Sequence, residues 1–288
     1  MRKKYLKSIA AALALICAVS ILSVPKNDVR AKSKPITYSN MLSKTAQTKV
    51  SKILIKNKVS KKQTVKYFKW VNDLYKRSSK LKAKEFIKTD GKAVNYDNFT
   101  FKSKKLKNGD FAPEVNCRMS AFLLYKNLIK TKGKANHNDT FMMFDVDAIE
   151  NAPQFKMTKS DKKKYTILFN SVNVKGTKTL KQHRQKILKS FKSKNIKFKK
   201  SNISLISLYM HSPSDNLRFI GHTGVLIKNN KSLLFLEKFG PEAPYQITKF
   251  NSKKQLINYL LSRKDIYGDK TELSPIITQN DKIIYGGE

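Results

Sequence analysis

Two apolar runs folded about Asn229-Asn230 constrain this chain more than any other stretch. Leu217–Ile227 and Leu233–Phe239 flank a short polar turn, the pattern of an antiparallel hairpin. Ile203–Met210 precedes them with the same β-forming composition, and His211–Asn216 supplies the connecting turn. If Asn229 and Asn230 are the two turn residues, Lys228 pairs with Lys231 and His222 lies directly opposite Glu237. Their side chains then share one face of the sheet, an arrangement that a one-residue slip destroys.

The first half of the chain reads as helix. Leu42, Ala46, Val50, Ile53 and Leu54 share one helical face. Ser60-Lys61-Lys62-Gln63 is a capping box opening a second helix, with Val65, Phe68, Val71, Leu74 and Tyr75 on its apolar stripe. Trp70, beside that stripe, is read as core packing. A third helix starts at Asn116, carries Met119, Phe122, Leu123 and Ile129, and runs to about Lys130, ahead of Gly133. Leu180–Phe191 is a fourth, on which His183 reads as an exposed surface histidine. Ser252-Lys253-Lys254-Gln255 is another capping box, followed by Leu256, Tyr259, Leu260 and Leu261, and Ile283-Ile284-Tyr285 forms a short closing strand. There is no internal repeat and no Pro/Gly/Ser linker. The expected fold is α+β: a Lys-rich helical lead-in over 32–90, packed on an α+β domain over 91–288 with a central antiparallel sheet.

Residues 1–31 read as a signal peptide. Arg2, Lys3, Lys4 and Lys7 precede an apolar run from Ile9 to Val24, and Val29-Arg30-Ala31 offers small residues at the −3 and −1 positions of a cut after Ala31. A retained, uncleaved anchor is the rival reading. The expected location is secreted or attached to the cell surface. The formal net charge is +40, from 60 Lys+Arg against 20 Asp+Glu. For an exported protein that excess suits an anionic wall polymer or lipid surface. Nucleic acid is not expected as a partner, because no RNA-binding signature or aromatic stacking platform accompanies the charge. A monomer is expected.

Once the signal is removed Cys117 is the only cysteine, so no disulfide within the chain can form. Cys117 falls in the first turn of the third helix. There the unpaired N–H groups and the positive end of the helix dipole favour a thiolate, and Arg118 adds a second positive charge. A thiolate that attacks a carbonyl needs an imidazole to manage protons and a third group to orient that imidazole. His222 and Glu237 are the candidates for those two roles, with His211 as a reserve base. Asn116, Gln246 or backbone N–H groups at the helix start are the candidate oxyanion donors. His137, Asp139, Asp145 and Asp147 suggest a divalent-cation pattern. Turn formation, and a helix cap at Asp145, account for them more simply, and no metal or other cofactor is expected.

Cysteine at a helix start, then His222-Thr223-Gly224-Val225 on a strand, then a polar residue on the partner strand, resembles papain-like hydrolases in chain order. The compact NlpC/P60 and CHAP amidase-peptidases are the most similar branch. More narrowly, Tyr38-Ser39-Asn40, Asn116-Cys117-Arg118, Glu237-Lys238-Phe239-Gly240 and Pro244-Tyr245-Gln246 resemble DUF4300, exported proteins of low-GC Gram-positive bacteria with no assigned function. The resemblance implies a papain-like core over 91–288 and a cysteine hydrolase acting on amide bonds of peptidoglycan or a peptide. Asn116-Cys117-Arg118 departs from the usual Asp-Cys-Ser, and glutamate is an unusual third residue. A non-catalytic wall- or polyanion-binding protein is the alternative.

Overall fold

A computed structural model describes residues 34–79, 81–106, 109–266, 268 and 271–286. The expected signal segment over 1–31 lies outside them. In chain order the described strands are β1 (Ile36–Ser39), β2 (Ile87–Thr89), β3 (Ile129–Lys130), β4 (Val172–Asn173), β5 (Lys197–Phe198), β6 (Ile203–Ser212), β7 (Leu217–Asn229), β8 (Ser232–Lys238), β9 (Tyr245–Phe250), β10 (Ile276–Gln279) and β11 (Lys282–Tyr285). The helices are α1 (Lys44–Lys56), α2 (Lys61–Tyr75), α3 (Cys117–Tyr125), α4 (Met143–Asn151), α5 (Lys159–Phe169), α6 (Leu180–Ser193) and α7 (Lys253–Leu261). No helix among the described residues is long and apolar enough to cross a membrane.

The fold is α+β around one open antiparallel sheet of order β11-β10-β6-β7-β8-β9-β1-β2, with β4 pairing the start of β7. Both faces are covered. Leu205, Val225, Leu234, Leu236 and Ile247 join one core with α1–α6, while Ile206, Leu208, Leu226 and Phe235 join a second with Leu256, Tyr259 and Leu260 of α7. Burial on both faces is why β6 reads as a continuous apolar run and not as an alternation. The lead-in over 32–90 is not helix alone. Its β1 inserts beside β9, pairing Tyr38 with Thr248, and β2 pairs with β1. The helix after Asn116 stops at Tyr125, short of Lys130, because Ile129 and Lys130 turn out to pair with Phe198 and Lys197.

Helix starts follow local chemistry. The box at Ser60 closes both ways, with Ser60 Oγ accepting from Gln63 N and Gln63 Oε1 accepting from Ser60 N, each at 3.2 Å. At Ser252 only half of it forms, since Gln255 Oε1 accepts from Asn251 N at 2.7 Å instead.

The β7–β8 turn is one residue later than expected. Asn230 and Lys231 are its central residues, with Asn230 at φ 52, and Asn229 pairs with Ser232. Glu237 therefore pairs with Gly224, and His222 stands two residues beyond the end of the ladder. A two-residue shift preserves the face, because strand side chains alternate with period two. Gly224 is needed at that rung: a Cβ there would meet Phe235 Cζ at 2.4 Å and the Leu236 carbonyl oxygen at 2.6 Å. Gly224→Ala is expected to destabilise the fold by about 1–3 kcal/mol through overpacking, measured by urea unfolding.

Candidate active site

Cys117 owes its position to Asn116. That residue has extended backbone geometry, and its Oδ1 accepts from Met119 N at 2.9 Å, so Cys117 becomes the first residue of α3. Cys117 is buried, 8% exposed, with Sγ 4.0 Å from the Gly221 carbonyl oxygen. Gly221 is the extra residue of a bulge: His222 pairs with Leu208 and Ile220 with Tyr209, leaving Gly221 between them. A Cβ on Gly221 would fall 2.0 Å from Met210 Sδ, so a larger residue there would require the methionine side chain to move. Bulges of this kind re-aim the neighbouring side chain. Here that side chain is His222, close enough to Cys117 for each to shift the other's pKa.

The other end of His222 is held firmly. Its Nε2 lies 2.7 Å from Glu237 Oε2, which leaves Nδ1 for sulfur. Glu237 is itself fully committed: Oε1 accepts from Tyr259 Oη, and Oε2 accepts from Arg263 Nη1 at 3.0 Å. Arg263 reaches on to Asp265 at 3.0 and 2.9 Å and to the Phe239 carbonyl at 2.8 Å. Sulfur, imidazole, carboxylate and guanidinium form one chain from α3 across β7 and β8 to the end of α7. Tyr259 read only as part of an apolar stripe, and nothing local marked Arg263.

Beside the sulfur, Asp145 organises the flank. It is fully buried, accepts from Tyr165 Oη at 2.7 Å and from Asn116 Nδ2, and lies 2.7 Å from Arg118 Nε. Asp139 is taken up by Ser171 and Asn170. Among the described residues no group of three His, Cys, Asp or Glu is arranged to hold a metal ion. Gln246 stands apart from the sulfur. It is fully buried, and its Nε2 donates to Thr248 Oγ1 at 2.6 Å and to Tyr259 Oη at 2.7 Å. Both amide hydrogens are used, so Gln246 supports Tyr259 and has none left for an oxyanion.

Burial alone would push the Cys117 thiol up. The hydrogen bond with His222 and the positive charges of His222 and Arg118 outweigh it, and the thiol pKa is lowered. Burial and Arg263 push the His222 imidazole down, but its bonds to Cys117 and Glu237 and the glutamate charge raise it overall. The two shifts bring the groups toward a thiolate–imidazolium pair that titrates as a unit. A groove of about 750 Å³ is lined by their chain neighbours and not by Cys117, His222 or Glu237 themselves. Pro113, Glu114 and Val115, which lead into Cys117, line it, as does Lys238, which follows Glu237. Lys238 is buried, donates to the Gly240 and Pro241 carbonyls at 2.7 and 3.0 Å and also to Ala243, and burial brings its ammonium down to about 7.

His183 and His211 form a pair of their own. His211 Nδ1 accepts from Leu273 N at 3.0 Å and its ring packs on His183, so it is no reserve base for Cys117. His183 is buried and not exposed, 1% accessible, with Nδ1 accepting from Arg218 Nε at 2.9 Å. Burial, then Arg218 and His211, bring its pKa from 6.5 down to about 4. Below pH 6.5 the unfolded chain therefore takes up a proton that the folded one refuses until about pH 4. Stability is expected to fall with pH across that window. Urea midpoints for His183→Gln should show a flatter slope there.

Residues 37–284 match the model of a family described as a domain of unknown function, DUF4300. No curated protein and no solved structure matches the chain.

Proposed function

The chain belongs to the DUF4300 family, and we propose that it is a thiol hydrolase or transferase acting on amide bonds, with Cys117 as nucleophile. The observation that carries this reading is Cys117 at a helix start, beside a histidine that a buried glutamate holds. In the proposed reaction the thiolate adds to the amide carbonyl carbon. As the C–N bond breaks, His222 gives its proton to the leaving amine, and a thioester remains on Cys117. Water then attacks the thioester while His222 takes its proton, releasing the acid and restoring the thiolate. Glu237 stabilises the imidazolium and, when the ring is neutral, fixes its tautomer. Met119 N is taken by Asn116 and Ser120 N by the Asn116 carbonyl, so the Cys117 and Arg118 N–H groups are the proposed oxyanion donors. A papain-like frame, export and a cell-wall or peptide substrate belong to the same proposal.

The test is the alkylation rate of Cys117 against pH. The lowered thiol should react with iodoacetamide well below the free-cysteine pKa of about 8.5, and His222→Ala should move the midpoint upward. A thiol that reacts only on unfolding would sink the reading. The net charge of +40 favours one rival, a polyanion-binding protein with an inert thiol. Under that rival, binding weakens steeply with salt and survives alkylation. Products released from purified cell wall by the unmodified chain separate the two.

A further inference from the structure

The groove that Pro113, Glu114 and Val115 line has a charge pattern that the proposed chemistry leaves unused. One flank is a single face of α2, carrying Lys61, Lys62, Lys66 and Lys69. These four span about 12 Å at 1.5 Å per residue. None has a carboxylate within ion-pair distance among the described residues. The two acidic residues lining the groove are already neutralised. Asp73 pairs with Lys104 and Arg77, and Glu114 pairs with Arg77. Lys61 and Lys62 also occupy the first turn of α2, where the helix dipole disfavours positive charge and no acidic residue offsets it.

The floor is apolar. Trp70, Leu74, Val115, Phe155 and Tyr245 line it, with Trp70 set edge-on to Phe155 at 5.7 Å. Val65, 60% exposed, projects from the lysine face. A small phosphate would meet one or two of the lysines and none of the floor, and a purely polar polyanion would leave the floor unfilled. A volume of about 750 Å³ suits a short extended segment with some apolar side chains.

We infer that this groove binds the substrate of the hydrolase, and that the substrate is an acidic peptide bearing apolar side chains. The inference rests on the thiol-hydrolase reading for its connection to Cys117. Carboxylates along the peptide meet the lysines of α2, its apolar side chains lie on Trp70 and Phe155, and the chain leads past Val115 to the sulfur.

Trp70 is the chain's only tryptophan, so its fluorescence reports the groove directly. The test uses the full chain carrying Cys117→Ala and a capped eight-residue peptide of Glu, Leu and Ala, against a counterpart with Lys for Glu. A saturable fluorescence change is expected for the acidic peptide, at least 10-fold weaker in affinity after Lys61→Glu/Lys62→Glu/Lys69→Glu. Two of its three changes add acidic residues at a helix N-terminus, which favours the helix, and its melting temperature is read beside its affinity so that lost binding is separated from unfolding. Equal affinity for the basic peptide, or unchanged affinity in the triple variant, overturns the inference. So does a response to polyphosphate or phosphatidylglycerol vesicles where the acidic peptide gives none. The two readings fail separately: binding that the unmodified chain never follows with cleavage counts against the hydrolase alone, whereas equal kcat/KM for neutral and acidic peptides counts against the groove alone.

Discussion

Cys117→Ala is expected to lower turnover of an amide substrate by about 10⁴-fold or more, because no other group among those gathered at the site supplies a nucleophile. The same change removes one sulfur atom from a buried position and leaves the Asn116 cap, the Gly221 bulge and the His222–Glu237 contact in place. Its effect on stability should stay near 1 kcal/mol, a few degrees in melting temperature for a chain of this size. Calorimetry beside an activity assay reads both quantities. A variant that melts far earlier yet turns over substrate normally would mean that the cysteine serves packing alone.

Arg263→Ala is expected to destabilise the protein by about 3–5 kcal/mol, as removal of one partner from a buried ion pair does. Glu237 would keep Tyr259 and His222, but its charge would lose the guanidinium 3.0 Å away. Adding Glu237→Gln removes the orphaned charge and should restore a good part of the loss, while leaving His222 without its anionic partner. A double-mutant cycle by urea unfolding measures that coupling. A single variant within about 0.5 kcal/mol of the parent would show that Glu237 does not depend on Arg263.

What was legible in the sequence was local. Asn116 as a cap, Cys117 in the first turn and the β7–β8 pair all follow from patterns a few residues long. The His222–Glu237 side-chain contact stands although their strand pairing does not, because moving the turn from Asn229-Asn230 to Asn230-Lys231 shifts partners by two and keeps the face. The groups that secure the site were not legible. Arg263 lies 41 residues beyond His222, and Asp145 is 29 from Asn116, with no shared periodicity to announce either contact. His183 looked exposed for the same reason: its neighbours on α6 are polar, and the Arg218 that covers it comes 35 residues later. Gln246 sits in a motif-like segment, but β9 directs its amide toward Tyr259.

The placement of β1 bears on how the molecule is made. Ile36–Ser39 finds β2 for one edge some 50 residues on, but the partner of its other edge is β9, some 200 residues on. At about 5–20 residues per second, that second edge waits on the order of 10–40 s for its partner. A strand made long before its partner is then among the last to lock, and until then an exposed β edge is open to whatever holds nascent chains.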